Sequence, residues 1–201
     1  MDFIQKIDEA VSRFMLELHG LKISNYFMKF VTLLGEAGII WILLLSFLLV
    51  FIGIKYRKLS VLIVSSAIFL LVGWLFNDFF LKIVIHRSRP YNNTEVFADA
   101  FKIFMDSINY KYPSSYSFPS GHSFSSFNVA TSLALYNRKF GYFTFPLASL
   151  IAFSRIFLGA HYLSDVLIGV ILGITFGTIS HIVGQKLLNL RKVKDWKYAS
   201  R

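Results

Sequence analysis

Three short stretches of this chain place ionisable side chains at fixed spacing inside otherwise apolar surroundings. The first, "KIVIHRSRP" (82–90), carries Lys82 and Arg89 seven residues apart, two helical turns, so that a helix would project both from one face. Pro90 then ends that helix. The second, "PSGH" (119–122), offers Ser120 as an N-cap, followed by Gly121 and His122. A helix starting there presents free backbone N–H groups to an anion. The third, "SRIFLGAHYLSD" (154–165), holds Arg155, and His161 six residues on, with Asp165 at i+4 from the histidine. A carboxylate at that spacing can orient one imidazole nitrogen and leave the other directed outward.

Each stretch has a plain structural explanation when taken alone. Together they bring the cations Lys82, Arg89 and Arg155, the histidines His122 and His161, one carboxylate and a helix N-terminus. Cations and backbone donors in that number suit a group with several anionic oxygens, which means phosphate. A histidine oriented by aspartate is a competent nucleophile, and a second histidine can protonate a leaving oxygen. Asp165 is the one acid within the three stretches, so no carboxylate cluster points to a divalent metal. The expected chemistry is metal-independent and cofactor-free hydrolysis of a phosphate ester or anhydride through a phosphohistidine.

The elements that must carry these residues read as membrane helices. The chain has 201 residues, 55% hydrophobic and 16% charged, with mean hydropathy +0.58. Soluble domains carry about 25% charged residues. Segments 37–54 and 59–77 hold no charged residue, about the length a bilayer crossing needs. Segments 123–137, 141–154 and 166–185 are also uncharged, the shorter two reaching spanning length only if His122 and Arg155 lie at their ends. The fold class predicted is an all-α integral-membrane helical bundle of about five transmembrane helices, one domain over residues 1–201, with no linker or repeat. Residues 1–20 carry Asp2, Asp8, Glu9, Arg13 and Glu17, unlike a signal peptide, while Phe3, Ile7, Val11, Phe14 and Leu18 recur at helical spacing. That segment reads as an amphipathic interfacial helix.

The net charge of +10 is explained by topology. Lys55, Arg57 and Lys58, then Arg138 and Lys139, then the 186–201 tail fall on one side of a five-span chain and meet a single acid, Asp195. Basic excess marks the cytoplasmic side, so the C-terminus is expected there and the three chemical stretches on the extracytoplasmic face. A basic tail of this kind faces lipid; no nucleic-acid partner is expected. Lys29, Arg87 and Lys102 read as snorkelling cations, and His19 and His181 as packing or interfacial residues. Gly169, Gly173 and Gly177 form overlapping G-x-x-x-G patterns, read as a contact within the chain in preference to a dimer interface; the oligomeric state is left open. Segment 91–118, with Tyr91, Tyr110, Tyr112 and Tyr116, is either a cap over the site or an interfacial aromatic belt.

The ordered set K-x6-R-P, P-S-G-H and S-R-x5-H-x3-D resembles the type 2 phosphatidic acid phosphatase family, matched in all three parts and in order. The resemblance implies that Lys82, Arg89 and Arg155 bind phosphate with help from Ser120 and the Gly121 amide. It implies His161 as nucleophile, Asp165 as its orienting partner, and His122 as general acid and later the base that activates water. Many members have six spans; here the N-terminal one is replaced by the amphipathic segment. Vanadium haloperoxidases share the constellation but are soluble, and the apolar spans argue against that activity. The expected substrate is a membrane lipid phosphate: undecaprenyl pyrophosphate or phosphatidylglycerol phosphate first, phosphatidic acid or a lipid A phosphate as alternatives. An anion transporter or channel is the competing class; passage of an anion needs no nucleophile. A scaffold without activity is a third.

Overall fold

The structure is a computed structural model that describes residues 3–20, 22–53, 57–92, 98–111 and 113–199. Lys55, Tyr112 and Arg201 lie outside the described residues, as do the side chains of Arg57, Lys58 and the tail beyond Leu190. In chain order the α-helices are α1 (Phe3–Glu17), α2 (Lys22–Leu34), α3 (Ile39–Leu48), α4 (Arg57–Leu75), the short α5 (Lys82–Ile85), α6 (Ala98–Ser107), α7 (Gly121–Tyr136), α8 (Arg138–Phe157) and α9 (Leu163–Ala199). No strand occurs among the described residues. The protein is an all-α membrane bundle.

Among the described residues, three helices are long and apolar enough to cross a bilayer: Leu59–Asn92, Arg138–Phe157 and Leu163–Leu190. A fourth crossing is available if Lys22–Leu34 and Ile39–Phe51, bent by 54° at their junction, act as one broken span. The count of five expected from apolar runs differs mainly at α7. That helix has 16 residues and is the most enclosed, with Phe124, Ser126, Asn128, Val129, Ala130 and Leu133 all buried. Its small polar residues lie largely inside the bundle, where some find partners: Trp41 Nε1 donates to Ser126 Oγ at 2.8 Å. An apolar run without charge therefore marks a central helix here as well as a spanning one.

Helix α1 turns the usual amphipathic arrangement outward. Phe3, Ile7, Phe14 and Leu18 are exposed, whereas Asp8, Glu9 and Ser12 are buried against the bundle. An apolar face left open beside a membrane bundle suits lipid, and the polar face becomes the protein contact.

Helices α7 and α9 pack closely because α9 has glycine at the contact. A Cβ on Gly169 would lie 2.6 Å from the Ser120 carbonyl oxygen, on Gly173 2.6 Å from that of Phe124, and on Gly177 2.4 Å from that of Asn128. The glycine stripe thus serves an approach within the chain. Gly173→Ala forces backbone apart and should cost about 1–3 kcal/mol. A lowered midpoint of thermal unfolding in detergent checks this; an unchanged midpoint would mean the two helices separate freely.

Candidate active site

Lys82 and Arg89 reach one place by a different route from the one their spacing predicts. Helix α4 passes through a π-helical turn, Phe76–Leu81, into the four residues of α5. His86 then adopts a left-handed conformation (φ 49°), so the helix stops before Pro90, and Arg89 is delivered by the following loop. The two cations still meet: Lys82 Nζ donates to Ser115 Oγ at 3.4 Å and Arg89 Nη2 to the same oxygen at 3.1 Å. Lys82 is also ion-paired with Asp78, one turn before it.

Arg89 and Arg155 are 3% and 2% exposed. Arg89 donates to the carbonyl oxygens of Ser115 at 2.6 Å, Tyr116 at 3.0 Å and Ala160 at 2.6 Å. Arg155 Nη1 donates to Thr32 Oγ1 at 2.5 Å and Tyr110 Oη at 2.6 Å. Neither guanidinium pairs with a carboxylate among the described residues, and the buried Arg155 Nε has no hydrogen-bond partner there. Buried charge without a counter-ion is costly, so the site is built to receive an anion.

Ser120 caps α7 as its position leads one to expect: its Oγ accepts from Ser123 N at 3.4 Å and from Ser123 Oγ at 2.9 Å. That hydroxyl is fully buried and is not part of the cavity wall, whereas Gly121 and His122 are. The cavity, about 500 Å³, is walled by Lys82, Arg89, Gly121, His122, Arg155 and His161, together with the apolar Ile42, Leu45, Leu70, Leu71 and Trp74 of α3 and α4.

His161 lies in the turn before α9, so the i,i+4 relation to Asp165 is not a helical one. Nδ1 of His161 sits 3.7 Å from Asp165 Oδ2, beyond hydrogen-bond range. Nε2 of His161 lies 3.1 Å from Arg89 Nη1. A guanidinium only donates, so Nε2 accepts and the ring proton belongs on Nδ1, the side facing Asp165. Burial, with the charges of Arg89 and Arg155, holds the His161 imidazole well below the ordinary histidine range. Asp165 itself is fully engaged. It accepts from Ser117 Oγ and Arg87 Nη1, and its Oδ2 accepts the Tyr162 amide at 2.9 Å, as a third-position carboxylate does when it reaches back to a helix start. The Asp165 carbonyl accepts the Ser120 amide at 3.0 Å, joining the second stretch to the third.

The profile of the PAP2 superfamily matches residues 57–188, which contain all three stretches. The chain belongs to the PAP2 superfamily. It is accordingly a phosphoric ester hydrolase of the membrane lipid phosphatase kind. Among solved structures, a transmembrane PAP2-type phosphatidylglycerolphosphate phosphatase from Bacillus subtilis is similar with a TM-score of 0.72 at 23% identity, over 92% of this chain and 88% of that one. Aquifex aeolicus LpxE is similar with a TM-score of 0.63 at 24% identity, over 90% and 95%. At such identities the likeness concerns the fold. No curated protein sequence matches the chain.

Several residues of this PAP2 site were not legible in the stretches. Arg87, expected to snorkel, is a half-buried link: it donates to Asp8 Oδ2 at 2.5 Å, to Ser164 Oγ at 2.7 Å and to Asp165, with its guanidinium 4.2 Å from the Tyr162 ring centre. Asp8 of α1 also accepts from the Ser164 amide at 2.9 Å. Lys29 likewise donates inward, to the Ile108 carbonyl at 2.7 Å. Asp78 carried a usable signal, an acid four residues before Lys82 in an apolar run. Glu36, Ser115 and Ser117 carried none. Arg87→Ala leaves the Asp8 and Asp165 carboxylates buried without their cation and should cost about 3 kcal/mol or more. Thermal unfolding checks it, with Asp8→Asn/Arg87→Ala expected to regain part of the loss.

Proposed function

We propose that this chain hydrolyses a lipid phosphate or pyrophosphate at the extracytoplasmic membrane face, with its C-terminus cytoplasmic and residues 1–201 acting as one unit. The observation that carries the reading is the pair of buried, carboxylate-free guanidinium groups of Arg89 and Arg155 beside two histidines in one cavity. Lys82, Arg89 and Arg155 would hold the phosphoryl oxygens, with the Gly121 amide at the α7 N-terminus adding a donor and Ser120 fixing that terminus.

His161 Nε2 attacks phosphorus, forming an N–P bond as the bond to the leaving oxygen breaks, and His122 gives that oxygen its proton. Asp165 takes up the charge that develops on the His161 ring through the Nδ1 proton, the 3.7 Å gap closing as the ring becomes cationic. Water then attacks phosphorus, His122 accepts its proton, the N–P bond breaks, and orthophosphate leaves. No step calls on a metal; among the described residues no group of three or more His, Cys, Asp or Glu side chains is placed to hold one.

The apolar wall contributed by Ile42, Leu45, Leu70, Leu71 and Trp74 suits a hydrocarbon tail entering between α3 and α4. Undecaprenyl pyrophosphate and phosphatidylglycerol phosphate are the preferred substrates, the second also being what the name of the Bacillus subtilis relative states for that protein. Phosphatidic acid and lipid A phosphate are the remaining members of the panel.

Purified protein in detergent, offered these lipid mono- and diphosphates, should release orthophosphate, and His161→Ala should lose about 10³-fold or more. Equal release by both proteins would sink the phosphohistidine. A neutral imidazole is the competent nucleophile, and its lowered pKa keeps it neutral as pH falls through the ordinary histidine value near ~6.5. The acid limb of kcat/KM that reports His161 should therefore lie below the ordinary histidine value. An acid limb at the ordinary value would place His161 in water.

A further inference from the structure

The bend between α2 and α3 brings a carboxylate to the site that neither the three stretches nor the apolar pattern announces. Glu36 opens the 3-10 turn Glu36–Gly38, and the turn is pressed onto His122. A Cβ on Gly35 would lie 2.9 Å from His122 Cδ2 and 2.6 Å from Ile151 Cγ2, so the approach requires glycine. Gly38 leaves the turn in the left-handed region at φ 70°. The result sets Glu36 Oε2 3.5 Å from His122 Nε2. Nε2 is buried and has no hydrogen-bond partner among the described residues. Both side chains line the same cavity, with the Glu36 side chain 55% exposed, so its charge is retained at little desolvation cost.

The charges facing His122 explain why a carboxylate is needed there. Arg155 and Arg89 carry uncompensated positive charge across the cavity, Lys82 is already paired with Asp78, and His161 is neutral. Burial and the guanidinium charges oppose an imidazolium at His122, yet a general acid must hold a proton when the ester arrives. Asp165 is occupied by Arg87, Ser117 and the Tyr162 amide on the far side of His161. The carboxylate set against His122 Nε2 is that of Glu36.

We infer that Glu36 is a positioning residue that keeps the departing-group proton on His122, so that proton delivery belongs to a Glu36–His122 pair. The inference rests on the reading of His122 as general acid. In the first step the proton passes from His122 to the leaving oxygen, and Glu36 stays ionised. In the second step His122 takes a proton from the attacking water, and Glu36 stabilises the imidazolium that forms. The 3.5 Å separation shortens when the ring is charged, as catalytic hydrogen bonds commonly do on loading.

The test compares kcat/KM against pH for the unaltered protein, Glu36→Gln and Glu36→Asp, each with an alkyl and an aryl ester of lipid phosphate. Removing the charge in Glu36→Gln should move the basic limb down by about 1 pH unit. At neutral pH the alkyl ester should lose about tenfold and the aryl ester, whose leaving group needs no proton, clearly less. Glu36→Asp, which keeps the charge, should return the limb toward its original place. A basic limb that stays put in Glu36→Gln, or equal losses on both esters, overturns the inference. His161→Ala separates the two levels: if it abolishes turnover while Glu36→Gln behaves like the unaltered protein, only the role of Glu36 falls. If His161→Ala retains turnover, the phosphohistidine reading falls with it.

Discussion

The Asp165 carboxylate is the point at which the separate parts of this molecule are tied together. One oxygen takes the Arg87 guanidinium, the other takes the Ser117 hydroxyl and the Tyr162 amide, and the backbone carbonyl takes the Ser120 amide. Through these bonds the start of α9, the loop before α7 and the end of α5 are held in one register. Arg87 extends the connection to Asp8, so that α1 is anchored by its polar face while its apolar face remains open. Buried and multiply bonded, such a carboxylate acts as a fixed charge, since each partner would be left unsatisfied if it moved.

Charge balance then divides the polar interior into two regions. Around Asp165 each charge has a partner: the single Arg87 guanidinium is shared between the Asp8 and Asp165 carboxylates. In the cavity the balance is deliberately incomplete, because among the described residues Arg89 and Arg155 meet carbonyl and hydroxyl oxygens and the His161 ring, and no carboxylate. A guanidinium held by neutral acceptors keeps its net charge, and in a low-dielectric enclosure that charge attracts a phosphoryl group far more strongly than it would in water. The apolar wall of α3 and α4 lowers the local dielectric and offers the surface a lipid tail requires.

The positions of the fold that sequence patterning missed share one cause: charged residues near the ends of apolar helices have two physical fates. They can reach outward to the interface, or turn inward if a partner is waiting. Arg87 and Lys29 have the composition of the first fate and the structure of the second, because Asp165 and the Ile108 carbonyl come from elements distant in the chain. Glu36 is similar, since its relation to His122 arises only from the α2–α3 bend. The 16-residue α7 was legible as a helix with Ser120 at its cap, but its central place depends on the glycine stripe of α9 meeting it.

The amino-acid sequence by itself determined the class of this protein and singled out the candidate residues for its chemistry. Continuous uncharged runs of spanning length point to helices, which satisfy their own backbone groups in lipid, and the cations, histidines and aspartate stand at spacings that no apolar helix requires. The tertiary structure decided how those residues meet. Lys82 and Arg89 converge through a broken helix and a loop, not along one face, and His161 faces Asp165 across a turn. Which cations stay uncompensated, and which carboxylate stands against which histidine, are distances between remote segments, and only packing sets them.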